Sequence, residues 1–273
     1  MNTLDQVLTH LEKAGLHLKR SKCAFLLPSV EYLGHKISAE GLQPTEEKVR
    51  AIKEAPPPSN VSQLCSFLRL VNYYSKFLPN LANTLAPLYS LLQKTQQWFW
   101  EAPQKAAFTE AKGQLTSQKL LVHFDPSKEL LLSCDASPYG IGAVLSHLMP
   151  DGSEQPIAFS SRSLSKAKLN YAHLDKEGLA IVYGVKKFHQ YLFGQSFTIC
   201  SDQHIFSEIH SIPSLASARL QRWALTLGTY NYQIHYKPGK DNSNADVLSR
   251  LPLPELPSSV PLPGETVFLM DTL

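Results

Sequence analysis

The stretch Cys134-Asp135-Ala136-Ser137-Pro138-Tyr139-Gly140-Ile141-Gly142-Ala143-Val144-Leu145 decides how this chain folds. It reads as the end of one apolar strand, a turn built around proline and glycine, and the start of a second strand. The first strand covers residues 129–134 and delivers Asp135 at its end. The second covers 141–149, and Asp151-Gly152 is a strong hairpin turn into a third over 156–160. Beyond them a helix spans 174 to about 191, a fourth strand covers 196–201 and ends at Asp202, and a fifth covers 230–236. Helical stretches near 203–210 and 217–228 separate the last two strands, and a short helix follows Asn244. Three antiparallel strands, a helix, then alternating strand and helix predict an α/β fold: a mixed five-stranded sheet with flanking helices over residues 116–250.

Residues 1–115 read differently. Leu4, Val7, Leu8 and Leu11 repeat at helical spacing, with Gly15 as a stop. Residues 22–38 read as two strands broken at Pro28-Ser29, and Ala39-Glu40-Gly41 makes the next turn. A short helix starts at Thr45, with Glu46 and Glu47 where the helix dipole favours acids, and Pro56-Pro57-Pro58 ends it. Asn60, followed three residues later by Gln63, caps another whose apolar stripe is Val61, Leu64, Cys65, Leu68 and Val71. Pro79 closes it, a further helix covers 81–93, and Pro103 suits the first turn of one over 103–115. Residues 251–273, with five prolines and no periodicity, predict a proline-rich flexible tail.

Composition bounds the function. With 43% hydrophobic and 18% charged residues in 273, the chain can fill a sizeable core. The net charge of +3 is too small to announce a nucleic-acid binder, and its mild basic excess sits toward the N-terminus. Cys23, Cys65, Cys134 and Cys200 are far apart and the histidines are not clustered, which argues against zinc and for a reducing compartment. No apolar run is long enough to span a membrane and no signal-peptide pattern opens the sequence. A soluble intracellular protein, cytoplasmic or nuclear and without a membrane partner, is the expectation; the sequence leaves oligomeric state open.

Hydrolysing a phosphodiester without a covalent intermediate takes an activated water and neutralisation of charge on the leaving oxygen. Two divalent cations can supply both, and hard cations want carboxylate oxygens. Asp135 and Asp202 each follow an apolar strand, Glu177 lies in the first turns of the long helix, and Asp246 sits near the start of the last one. Four acids at four element ends permit such a cage. Spacing does not select it, because an aspartate after a strand is more often a turn or cap residue, and a glutamate early in a helix more often compensates the dipole.

The wording around these acids is more specific. The opening stretch resembles the first-strand motif of the ribonuclease H domain in gypsy-type LTR retrotransposon Pol polyproteins. Ser160-Ser161-Arg162-Ser163-Leu164 through Tyr171, Lys176-Glu177-Gly178-Leu179-Ala180-Ile181-Val182 through Phe188, Arg219-Leu220-Gln221-Arg222-Trp223, and Tyr236 through Asn242 with Ala245 to Arg250 match that family in order. The resemblance covers about residues 121–250. It implies that Asp135, Glu177, Asp202 and Asp246 are catalytic metal ligands for two Mg²⁺ ions, with Mn²⁺ as a substitute, and that the RNA strand of an RNA–DNA hybrid is cut. Two positions depart from the pattern. Gln203 stands where relatives have histidine, and Gly178 where alanine is common, which bears on turnover without removing a ligand. Arg219, Arg222, Tyr236, Lys237 and Lys240 flank the proposed site and are candidate nucleic-acid contacts, with ordinary solvated side chains as the alternative.

Val30-Glu31-Tyr32-Leu33-Gly34-His35, Gly41 and Pro44 resemble the end of the reverse transcriptase palm, and Ser66 to Tyr74 with Ala86-Pro87-Leu88 continue through its thumb and connection. In that family the hairpin bearing Tyr-Leu-Gly holds the primer end; core packing of Tyr32 and Leu33 is the alternative. Trp98 and Trp100 read as packing residues. No Asp-Asp pair occurs anywhere, so residues 1–115 are expected to be a partial reverse transcriptase without a polymerase site. The alternatives to an active nuclease are an inert nucleic-acid-binding remnant, or a segment that works only together with upstream Pol domains.

Overall fold

In the computed structural model, residues 2–93, 97–117, 120–201 and 218–236 are described. Helix α1 (Asn2–Lys13) ends as expected at Gly15: the Leu16 N–H reaches the Leu11 carbonyl and the Gly15 N–H that of Glu12. The two strands predicted over 22–38 are misplaced. Strands β1 (Ser29–Tyr32), β2 (His35–Ser38) and β3 (Gly41–Pro44) form a three-stranded antiparallel meander. The turn falls at Leu33-Gly34, not Pro28-Ser29. Both turn residues have positive φ (48° and 73°), the backbone a two-residue hairpin demands, and glycine meets it without strain.

Helices α2 (Glu46–Glu54), α3 (Val61–Tyr73), α4 (Leu81–Thr84), α5 (Ala86–Ser90) and α6 (Ala102–Thr116) follow. The helix expected over 81–93 is thus split in two at Leu85. The Asn60 side chain caps α3 by accepting from the Gln63 N–H, while the Gln63 side chain reaches back to the Ser59 N–H. Phe67 replaces Val61 on the buried stripe, and Val61 is exposed. These helices enclose one apolar core with Tyr74, Leu85, Leu88, Phe108 and Ala111. Trp98 and Trp100 stack on each other and pack against it, as expected.

The second sheet has the predicted five strands. They are β4 (Leu130–Ala136), β5 (Gly140–Leu148), β6 (Glu154–Ser163), β7 (Ser196–Ser201) and β8 (Asn231–Tyr236), in the order β6-β5-β4-β7-β8. The first three are antiparallel, while β7 runs parallel to both β4 and β8. The third strand extends past 156–160 in both directions because β5 offers a partner along its whole length, with one register shift at Leu145/Ser146. Helices α7 (Lys166–Leu169), α8 (His173–Lys187) and α9 (His189–Leu192) precede β7, and α10 (Ala218–Leu227) precedes β8. The helix expected to 191 therefore breaks at Phe188.

Leu132, Cys134, Ala143 and Leu145 of the sheet share a core with Ala180, Ile181 and Val185 of α8. Helix α8 lies so close that a Cβ at Gly184 would sit 2.9 Å from Cys134 Sγ and 3.0 Å from Ala143 Cβ. Alternation along the strands turns Val144 and Phe159 the other way, into the core of the α2–α6 helices. The sheet is thereby sandwiched.

Candidate active site

Asp135 is the sixth residue of β4, half-buried and still paired with Gly142 of β5. It lies inside the strand, one residue before its end. Glu177 occupies the second turn of α8 and is 1% exposed. Its Oε1 accepts from the Ala136 N–H at 3.3 Å, which brings the helix carboxylate to the backbone of the residue beside Asp135. A buried carboxylate needs such donors, since desolvation otherwise penalises its charge. His173, one helical turn before Glu177, places Nε2 3.7 Å from the same oxygen while its own side chain is 67% exposed.

Cys134 registers both acids. Burial, then the Glu177 and Asp135 carboxylates and the Cys200 thiol, push its thiol well above the ordinary range, so it stays protonated and is no nucleophile. Strands β4 and β7 run parallel from Leu130↔Phe197 to Ser133↔Cys200, so their C-terminal ends share one edge of the sheet. Strand β7 ends at the buried Ser201, and Asp202 is the next residue in the chain. Asp202 and Asp246 lie outside the described residues, as do Gln203, Lys237 and Lys240. Among the described residues no three metal-ligating side chains gather, and the site is represented there by Asp135 and Glu177. Two carboxylates, one from a strand and one from a helix, thus lie near the end of the sheet where two parallel strands finish, and carboxylate oxygens are the donors a hard divalent cation takes.

The nucleic-acid candidates separate. Arg219 on α10 donates to Asp175 of α8 at 2.8 Å and lies 3.8 Å above the Tyr171 ring, so its guanidinium braces the start of the Glu177 helix. Arg222 is exposed on the same helix, and Tyr236 ends β8. Lys168, Tyr171, Arg219, Arg222 and Trp223 line an open groove between α7, α8 and α10. Tyr32 and Leu33 are 63% and 66% exposed, so they are not core residues. Sequence reasoning missed His173, although its four-residue spacing from Glu177 was readable. It also missed the Asp175–Arg219 pair, whose partners lie 44 positions apart.

A five-stranded sheet in this order, with one acid near the end of its central strand and another early in its covering helix, has the ribonuclease H-like fold. Residues 100–199 match the family described as an RNase H-like domain found in reverse transcriptase. The chain is 37% identical over 251 residues, 91% of its length, to the transposon Tf2-3 polyprotein of Schizosaccharomyces pombe, and equally so to its Tf2-4 counterpart. It is thus similar to one segment of these retrotransposon polyproteins and carries a match to the RNase H-like domain found in reverse transcriptase. It spans 19% of the length of those curated relatives. Among solved structures, the foamy viral protease-reverse transcriptase in complex with RNA/DNA hybrid superposes with a TM-score of 0.73 at 22% identity, covering 95% of this chain and 36% of that one. The same enzyme's dRH form in complex with double-stranded DNA gives 0.72 at 24% identity, covering 86% and 42%. These likenesses confirm the fold. No described helix is long and apolar enough to cross a membrane.

Proposed function

We propose that the chain is an endoribonuclease that cleaves the RNA strand of RNA–DNA hybrids, working as the ribonuclease H part of a retrotransposon reverse transcriptase. The observation that carries this reading is the Ala136–Glu177 hydrogen bond, which brings a buried helix carboxylate to the strand position beside Asp135. Asp135, Glu177, Asp202 and Asp246 would hold two Mg²⁺ ions, or Mn²⁺ in their place. When bound, these would supply an acidified water and charge neutralisation at the leaving 3′ oxygen. The chain's own contribution is placement. The Ala136 N–H fixes one Glu177 oxygen, the burial of that side chain excludes competing water, and the ladder between β4 and β5 holds Asp135 at the rim. His173, exposed and with Nε2 3.7 Å from Glu177, is a candidate contact for a phosphate backbone. Hybrid as substrate accords with the RNA/DNA hybrid carried by the foamy viral relative. The longer relatives also favour upstream Pol domains as partners that add hybrid affinity.

Purified protein with a labelled hybrid and Mg²⁺ tests the proposal, beside Asp135→Asn, Glu177→Gln and Asp202→Asn. These changes keep shape and remove charge, so a loss of about 10³-fold or more is expected if the carboxylates carry the charge stabilisation. A parent that binds hybrid without cutting it, or variants that cut as well as the parent, would overturn the nuclease assignment. Joining the chain to the polymerase part of a relative and measuring hybrid affinity tests the partner.

A further inference from the structure

Helix α4 belongs by sequence to the helical region, yet it grips the sheet at the row that holds Asp135. Across the sheet, Asp135 faces Gly142, and Gly142 faces Ser161. The Ala82 N–H donates to Ser161 Oγ at 2.9 Å, at the far end of that row. One residue on, Asn83 Oδ1 lies 3.0 Å from Ser137 Oγ, in the turn that follows Asp135 and Ala136. Ser137 organises the whole turn, since its Oγ accepts from the Gly140 N–H at 2.8 Å and the Tyr139 N–H at 3.3 Å. With both N–H groups taking lone pairs, the hydroxyl hydrogen is directed toward Asn83 Oδ1 or the Gly140 carbonyl, 3.1 Å away. Asn83 and Ser137 are 8% and 5% exposed, so water cannot replace this contact. The fit is close: a Cβ at Gly140 would sit 2.5 Å from Asn83 Oδ1.

We infer that Asn83 is a positioning residue for Asp135, and that the helical region is part of the nuclease site rather than a neighbour of it. The inference builds on the nuclease reading and adds a dependence that reading does not contain. Asn83 holds the turn and Ala82 holds Ser161, so one helix fastens the Asp135 row at two points and whatever shifts α4 shifts the carboxylate. The hydrogen-bonded groups lie 54 and 79 residues apart, so excising residues 116–250 severs both contacts.

The test uses the full chain with Asn83→Ala, Ser137→Ala and the double variant. Hydrogen exchange without metal should speed about tenfold in peptides covering 135–142 and stay unchanged in α8. Cleavage of hybrid at saturating substrate should fall about tenfold in each single variant with KM unchanged. The double variant should be no slower than either, because both remove the same contact. Exchange unchanged at 135–142, a rise in KM at constant kcat, or losses that multiply in the double variant would each overturn the inference. Ser137→Ala, on the other side of the contact, decides the matter if Asn83→Ala fails to fold. An inert parent would sink the nuclease reading alone, since the exchange measurement still judges the clamp.

Discussion

The two faces of the five-stranded sheet are covered in different ways, and each cover supports one of the two described carboxylates. On one face α8 presses its own backbone onto β4 and β5 at Gly184, and carries Glu177 inward with it. On the other, the helical region takes Val144 and Phe159 into its core and sends α4 to hold the Asp135 row. Glu177 therefore depends on close helix–sheet packing within the ribonuclease H-like part. Asp135 depends on contacts that cross from one part of the chain to the other.

The sharpest way to break this contrast is Phe159→Ala. Removing a buried phenyl ring from a core typically costs about 3–5 kcal/mol. Because Phe159 sits in the core of the helical region, thermal unfolding should show both parts losing stability in one transition. A variant in which the sheet melts unchanged while the helices loosen would show that the two faces are independent. A smaller effect is expected from Gly184→Ala. Overpacking costs typically about 1–3 kcal/mol, partly offset by the roughly 1 kcal/mol that alanine gains over glycine within a helix. Its melting temperature should drop, and exchange should quicken in α8 around Glu177 while the 135–142 turn keeps its protection. Equal quickening at both sites would erase the distinction between the two supports.

The smallest effect is seen only at high pH. Burial pushes the Tyr232 phenol of β8 up to about 12 from its ordinary 10.0. The folded state therefore resists an ionisation that the unfolded state accepts. This contribution is whole below pH 10 and is lost as pH rises from 10 toward 12. Denaturant unfolding across that window should show stability falling less steeply in Tyr232→Phe than in the parent. Identical slopes would mean that Tyr232 does not contribute.

Much of the fold was legible because its signals are local. The Asp151-Gly152 turn, the Asn60 cap and the apolar runs of β4 and β5 each depend on residues a few positions apart, and all appear where the sequence put them. Errors arose where a neighbour decides. Strand β6 is longer than its apolar run because β5 pairs with all of it, and Val61 yields to Phe67 because the core lies toward Phe67. Of the candidate site, Asp135 and Glu177 were singled out by the motifs around them, and Glu177 accepts from the N–H of Ala136, the residue after Asp135. Asp202 and Asp246 lie outside the described residues. Arg219 was read as a phosphate contact, and no local pattern could reveal that Asp175 and Tyr171 hold it.

By itself, then, the sequence determined the order of elements, the sheet they form, the family it resembles, and which acids could serve together. Periodicity, caps and turn residues act over a few positions, and each leaves its mark in the string of residues. Only the tertiary structure decided how Asp135 and Glu177 are held. A hydrogen bond such as Asn83 to Ser137 joins side chains 54 positions apart, and its existence depends on two packed surfaces meeting in one register.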